Sequence, residues 1–201
     1  MSRVLFKGGA LMAPLPPALI TCGTMEKPNV MTAAWTGIIN TRPPKTYVSI
    51  RPERYSYGLI KETGEVVINL TTEGLVRTAD FCGVRSGRDL NKFEQCGITP
   101  IPSTAVSAPT LAESPLSIEC KVFQVMELGS HHMFLLDVVA VTADERLMDK
   151  NGRLCLEKSG LAAYAHGEYF ALGKKLGDFG FSVRKKKKHP QKPRPQKKEG
   201  Q

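Results

Sequence analysis

NVMTAAWTGIINTRPPKTYVSIRPERYSYGLIKETGEVVINL, residues 29–70, is the stretch whose reading decides the fold. Met31-Thr32-Ala33-Ala34-Trp35-Thr36 is a run of small residues and hydroxyls that offers close backbone to whatever packs on it. Thr46 to Ile50 reads as a short strand and runs straight into Arg51-Pro52-Glu53-Arg54-Tyr55-Ser56. A helix from Tyr55 to Glu62 is stopped by Gly64, and Glu65 to Leu70 reads as the next strand. Arg54, Tyr55 and Ser56 therefore stand at a helix start directly after a strand. Helix starts carry unpaired N–H groups and partial positive charge, so an Arg and a hydroxyl there favour an anion, above all phosphate. Taken alone, the pattern is more often ordinary helix entry, with Pro52 setting the turn and Arg54 in solvent.

Outward from this stretch, further strands are expected at Val4 to Phe6, Ala18 to Thr24, Leu116 to Leu128 and Met133 to Thr142. The last two form a long hairpin turned by Leu128-Gly129-Ser130-His131-His132. Phe134 to Val141 is a nearly unbroken apolar run, which predicts a central strand buried on both faces. Thr71 or Thr72 is expected to cap a helix over Glu73 to Phe81. Asp89 to Gln95 reads as a short helix ended by Gly97, the Pro-rich residues 97–115 as loop or edge strand, and Gly167 to Gly177 as a short C-terminal helix at best. Many strands without β-α-β alternation predict a mainly β chain: a small antiparallel barrel with a few peripheral helices.

The chain has 201 residues and a net charge of +9, which suggests a polyanion partner until the charge is located. Residues 184–201 hold nine Lys and Arg against Glu199 alone, leaving 19 basic and 18 acidic residues in the first 183. The body is near neutral and has no evident need of nucleic acid. We expect one domain over 1–183 and a disordered basic tail over 184–201. The tail reads as a solubilising extension; the sharper alternative is weak contact with nucleic acid or an anionic surface. No apolar run reaches the length of a membrane span. Pro14, Pro16 and Pro17 interrupt the apolar N-terminal residues, so Pro17 to Cys22 reads as a core strand and not as a signal peptide. Five scattered cysteines without C-x-x-C argue against a disulfide framework and a zinc site, and predict a cytoplasmic protein with no metal.

A second anion-friendly cluster lies at Cys82-Gly83-Val84-Arg85-Ser86-Gly87-Arg88-Asp89-Leu90-Asn91-Lys92-Phe93. Ser86, Gly87 and Arg88 form a turn with free N–H groups, and Lys92 follows within one helical turn. Two such clusters in a small barrel favour a phosphorylated ligand. Neither common phosphate loop is present in the sequence.

With these motifs assembled, in the order Asn29 to Trp35, Pro43-Pro44, Val48-Ser49-Ile50-x-Pro-x-Arg54-Tyr55-Ser56, Val67-Ile68-Asn69 and Cys82-Gly83-x-x-Ser86-Gly87-Arg88-Asp89-x-x-Lys92-Phe93, the chain resembles the flavin reductase-like, flavoredoxin-type FMN-binding proteins. The resemblance runs from about Phe6 to Val183 and takes in Tyr169-Phe170-Ala171-Leu172-Gly173 and Phe179-Gly180-Phe181-Ser182. It implies an FMN-binding split β-barrel with Greek-key-like antiparallel strands, a homodimer, and one non-covalent FMN per subunit near the dimer interface. Carried over by position, Met31, Thr32, Ala33 and Ala34 would line the isoalloxazine, with Trp35 as an aromatic wall. Ser49, Ile50, Arg54, Tyr55 and Ser56 would hold the phosphate end, and Asn69, Cys82, Ser86, Gly87 and Lys92 would complete the pocket. Arg51 either adds a phosphate contact or faces solvent.

A flavin carries its own redox chemistry, so no catalytic side chain is assigned. The expected activity is that of an FMN-dependent oxidoreductase. It is either a flavin reductase fed by NADH or NADPH or an electron carrier served by a redox partner protein. The rival is a non-enzymatic nucleic-acid-binding barrel using the basic tail. His131 and His132 are read as a surface pair in the hairpin turn. His166 is read as an end-of-domain residue, with reach to a flavin across a dimer interface as the lesser alternative. Cys82 is read as a small packed residue beside the cofactor in preference to a redox thiol.

Overall fold

The computed structural model describes residues 1–184. Its centre is one antiparallel sheet of seven strands, in the order β2-β1-β5-β8-β9-β4-β3. The strands are β1 (Ala18–Gly23), β2 (Pro28–Ala33), β3 (Thr36–Thr41), β4 (Pro44–Ile50), β5 (Glu65–Leu70), β8 (Leu116–Glu127) and β9 (His132–Ala143). Two short ribbons, β6 (Pro100–Ile101) with β7 (Thr110–Leu111) and β10 (Ala162–Ala165) with β11 (Glu168–Ala171), lie apart from it. Strands β2 and β3 stand at opposite ends of the hydrogen-bonding order, yet only Ala34 and Trp35 separate them. Two residues span a few ångström, so the sheet must curl until its edges meet, and the result is a barrel. The Ser49 amide donates to the Trp35 carbonyl at 2.8 Å, which ties the small-residue joint to the end of β4.

Alternation along β1 explains how the barrel is lined and covered. Ala18, Ile20 and Cys22 point into a core shared with Met31, Ala33, Val48, Ile50, Ile68, Phe134 and Leu136. Leu19, together with Val30 of β2, points outward and is covered by Ala79 and Cys82 of α2 (Val76–Val84) and Phe93 of α3 (Lys92–Cys96). Helix α1 (Tyr55–Thr63) carries the chain from β4 to β5 past β9 and β8, and its Leu59 and Ile60 enter the barrel core. Gly64 closes α1 in the left-handed conformation at φ +67°, where a glycine carries no Cβ penalty.

Several expectations need correction. The strands buried on both faces are β1 and the middle of β5; β9 alternates over its first half and leaves Val139 and Val141 exposed. Val4 to Phe6 forms no strand and is exposed, having no neighbour to pair with. The run from Gly167 forms β11, not a helix. His166 and Gly167 both take positive φ, 48° and 92°, and make the two-residue hairpin turn from β10. The run Pro28 to Thr41, which carried no strand expectation, forms β2 and β3. Thr72 precedes a 3-10 turn at Glu73–Leu75 and makes no side-chain cap; α2 starts only at Val76. The expected disordered tail over 184–201 lies, apart from Arg184, outside the described residues. Among the described residues no helix is long and apolar enough to cross a membrane, and no cluster of His, Cys, Asp and Glu suits a metal.

Candidate functional site

The barrel's joint, the start of α1 and the loop after α2 converge on one face. Two contiguous cavities open there. The wider one, about 450 Å³, is floored by Met31 to Ala34 and walled by Trp35, Ser49, Ile50 and His131. The other, about 260 Å³, lies at the start of α1 between Tyr55, Ser56, Cys82, Ser86, Gly87 and Lys92. Met31, Arg51 and Arg54 line both. Of the fifteen residues expected in the site, fourteen therefore meet across these two spaces.

Asn69 does not. It is wholly buried within the sheet and its amide is fully occupied. Its Nδ2 donates to the Leu19 carbonyl at 2.9 Å and to Thr21 Oγ1 at 3.0 Å. Its Oδ1 accepts from the Leu111 amide at 3.0 Å and from Ser117 Oγ at 2.7 Å. The resemblance places Asn69 in the pocket, but its amide is turned toward the β7 ribbon.

The wide cavity is lined by the short side chains of Thr32, Ala33, Ala34 and Ser49 together with the Trp35 and His131 rings. Thr32 does not offer its hydroxyl to the cavity, because Oγ1 donates to the Ala79 carbonyl of α2. Trp35, 42 % exposed, lies nearly parallel to the His131 ring, with centroids 6.2 Å apart and planes 11° apart. His131, expected at the surface of the hairpin turn, is half-buried and stands beside the joint, where the β8–β9 turn brings it. His132 is also drawn in, its Nδ1 lying 2.8 Å from Tyr57 Oη.

The narrow cavity is electropositive. Arg51, Arg54, Arg85, Arg88 and Lys92 line it, against Glu53 alone, which sits 3.6 Å from Arg51. Among the described residues no carboxylate pairs with Arg54, Arg85, Arg88 or Lys92. Arg54 Nη1 donates to the Gly83 carbonyl at 3.0 Å and Arg88 Nη1 to the Glu53 carbonyl at 3.2 Å, which aligns both guanidiniums along the rim. Arg54, the residue before helix α1, makes no side-chain cap bond, and the first turn of α1 holds no acidic residue. Its orphan amides and positive dipole end accordingly remain available to an anion.

Lys92 is 4 % exposed, an unusual place for an ammonium without a counter-charge. Burial pushes its pKa down, and the nearby Arg54 charge acts in the same direction. The Cys82 thiol is pushed up to about 12, chiefly by burial and then by Cys96, so it is a protonated packing residue at neutral pH. Burial likewise raises the Cys22 thiol to about 11. All five cysteines are free.

Ser56 is buried, and its Oγ accepts from Asn29 Nδ2 at 2.7 Å. Gly87 is required by close approach, since a Cβ there would stand 2.0 Å from Asn29 Oδ1 and 3.1 Å from Tyr55 Cδ1. Asn29, Arg85 and His131 are lining residues that sequence reasoning did not assign. Asn29 and Arg85 sit inside the quoted motifs and were there to be found; the position of His131 depends on the hairpin's length. A flat slot beside a cation-lined, carboxylate-poor cavity suits a planar ring bearing an anionic arm.

A family model, flavin reductase like domain, matches residues 12–173. The structure is similar to the flavoredoxin of Desulfovibrio vulgaris (Miyazaki F), with a TM-score of 0.84 and 32 % identity over 92 % of this chain and 100 % of that one. It is also similar to an FMN-binding protein from Thermus thermophilus solved with 1-cyclohex-2-enone, with a TM-score of 0.74 and 26 % identity over 89 % and 99 % of the two chains. An uncharacterized protein of Archaeoglobus fulgidus is 36 % identical over 136 residues, 68 % of this chain and 76 % of that one.

Proposed function

This chain belongs to the flavin reductase-like domain family, and from that premise we propose that it is an FMN-dependent oxidoreductase. The observation that carries the reading is the convergence of the ring-sized slot over Met31 to Ala34 with the cation-lined cavity at the start of α1. Together they offer a volume within the range of ~300–1,000 Å³ usual for small-molecule sites. FMN supplies the hydride and electron chemistry; the chain's residues supply position and field. Arg54, the open start of α1 and Lys92 would hold the phosphate. The backbone of Met31 to Ala34 would carry the ring, with Trp35 and His131 closing one side against water. No side chain is asked to move a proton, which agrees with cysteines held as thiols beside the site.

Within that reading the donor is either NADH or NADPH, arriving at the exposed side of the slot, or a redox partner protein. A homodimer belongs to the same proposal. Phe123, Val139 and Val141 stand exposed on β8 and β9, as do Leu176, Phe179 and Phe181 on the C-terminal extension, and a second copy would cover them. A cytoplasmic location goes with the five free cysteines.

The test is an absorption spectrum of the purified protein followed by anaerobic titration with NADH and with NADPH. Yellow protein that releases FMN on denaturation supports the proposal, and bleaching by either nucleotide selects the reductase form. Flavin reduced by a ferredoxin-like donor but by neither nucleotide selects the carrier form. Colourless protein that takes up no FMN, yet binds RNA through residues 184–201, would replace it with the nucleic-acid-binding reading.

A further inference from the structure

Cys82 and Cys96 bracket the loop that forms the cationic cavity. Cys82 lies in the last turn of α2, and Cys96 ends α3. Both belong to the layer that covers the outer face of β1 and β2, beside Leu19, Val30, Ala79 and Phe93. Lys92 fixes their relation. Its ammonium reaches the Cys82 main-chain oxygen at 2.9 Å, and Cys96 follows it by four residues, on the same face of α3. Cys96 is thereby turned toward Cys82, and the two thiols stand as hydrogen-bonding neighbours. The other cysteines are placed elsewhere. Cys22 and Cys120 point into the barrel core, and Cys155 packs against Arg153.

The pair is unequal. Cys82 is buried at the cavity wall, whereas Cys96 is half-buried, so an oxidant from solvent meets Cys96 first. Attack of the Cys96 sulfur on one oxygen of hydrogen peroxide breaks the O–O bond and gives a sulfenic acid and water. Attack of the Cys82 sulfur on the Cys96 sulfur then breaks the S–O bond, and the departing hydroxide takes up the Cys82 proton as a second water. Two thiols give up two electrons, and one peroxide accepts them. Burial keeps the Cys82 thiol protonated near neutral pH, so the second attack quickens as pH rises.

We propose that Cys82 and Cys96 form a modification site for hydroperoxides, closing to an intrachain disulfide that fastens the loop over residues 83–95. That loop carries Ser86, Gly87, Arg88 and Lys92, so the bridge removes freedom from the segment that a bound anion must hold in place. The consequence for ligand rests on the flavin-binding reading above: oxidised protein releases FMN more slowly than reduced protein. Formation of the bridge does not depend on that reading.

The experiment treats pre-reduced full-length protein with hydrogen peroxide, blocks the remaining thiols with iodoacetamide under denaturing conditions, and maps the chain by mass spectrometry without reduction. Cleavage after Lys, Arg and Glu leaves Cys82 in residues 78–85 and Cys96 in residues 95–113, apart from the other cysteines. A link between these two peptides is expected, reversed by dithiothreitol and absent from Cys96→Ser. FMN dissociation is expected to slow by about threefold or more on oxidation of the wild type, and to stay unchanged in peroxide-treated Cys96→Ser. Peroxide that leaves both cysteines alkylated, drives Cys96 to the sulfinic acid, or links either one to a different cysteine would overturn the proposal. A bridge with unchanged FMN release would overturn its action on the loop. Protein that binds no FMN yet forms the bridge would remove the flavin reading and leave the modification site standing.

Discussion

The ammonium of Lys92 donates to the main-chain oxygen of Cys82 at 2.9 Å, tying the start of α3 to the end of α2. A second bond, to the Val30 oxygen at 2.8 Å, ties both to β2. One buried cation thus fastens the loop from Arg85 to Asn91 against the barrel while lining the cavity that loop forms. Lys92→Met keeps the volume of the stem but leaves two carbonyls without a donor. Thermal unfolding is expected to show a loss of roughly 1–3 kcal/mol, and retained FMN is expected to fall in the same variant. A variant as stable as wild type, with full flavin content, would contradict both roles.

The lowered pKa of Lys92 gives a pH signature with two opposite signs. Its folded value lies below the unfolded one, chiefly through burial. Holding the charge therefore costs stability at neutral pH, and that cost is relieved as pH rises through the folded value. FMN binding runs the other way, because a neutral amine no longer attracts phosphate. Affinity is expected to decline with rising pH before the ordinary lysine range is reached. Fluorescence titrations from neutral to alkaline pH on wild type and Lys92→Met will check this, the variant giving the flatter profile.

Among the described residues Arg54 has no carboxylate partner and is held by the Gly83 carbonyl, so its guanidinium is available to the ligand. Arg54→Ala is expected to weaken FMN binding by about 1.5–3 kcal/mol, the contribution of a charge-assisted contact, with little change in unfolding temperature. Dialysis followed by measurement of retained flavin decides the point, and unchanged occupancy would remove Arg54 from the phosphate's partners.

Gly87→Ala drives a methyl group into Asn29 Oδ1, and Asn29 in turn holds Ser56. The loop or the amide must give way. A loss of about 1–3 kcal/mol in urea unfolding is expected, with weaker FMN binding alongside. An alanine tolerated on both counts would show that the loop has room to shift.

Asn69→Leu separates fold from site. The wild-type amide serves four partners across β1, β7 and β8, and the leucine leaves the Leu111 amide and Ser117 hydroxyl unmatched. Stability is expected to drop by about 2 kcal/mol or more, while FMN affinity per folded molecule stays within about twofold of wild type. Flavin binding lost without destabilisation would return Asn69 to the cavity.

Much of this molecule was readable as local signal. The short strand at Thr46 to Ile50, Gly64 as a helix stop, the long β8–β9 hairpin and the Ser86-Gly87-Arg88 turn all depend on neighbours within a few residues, and sequence carries such short-range preferences directly. The same motifs, in order, carried the family resemblance and named fourteen residues that line the two cavities. What only the tertiary structure decided depends on contacts between distant segments. Asn69 faces the β7 ribbon because β1, β5 and β8 stack in that register, and no pattern around residue 69 reports it. The curl that joins β2 to β3 at Ala34-Trp35 brings His131, about a hundred residues later, beside Trp35. Apolar runs tell how hydrophobic a strand is, not what covers it. So β1, short and mixed, is buried on both faces between core and helices, while the more apolar β9 keeps a bare edge toward solvent.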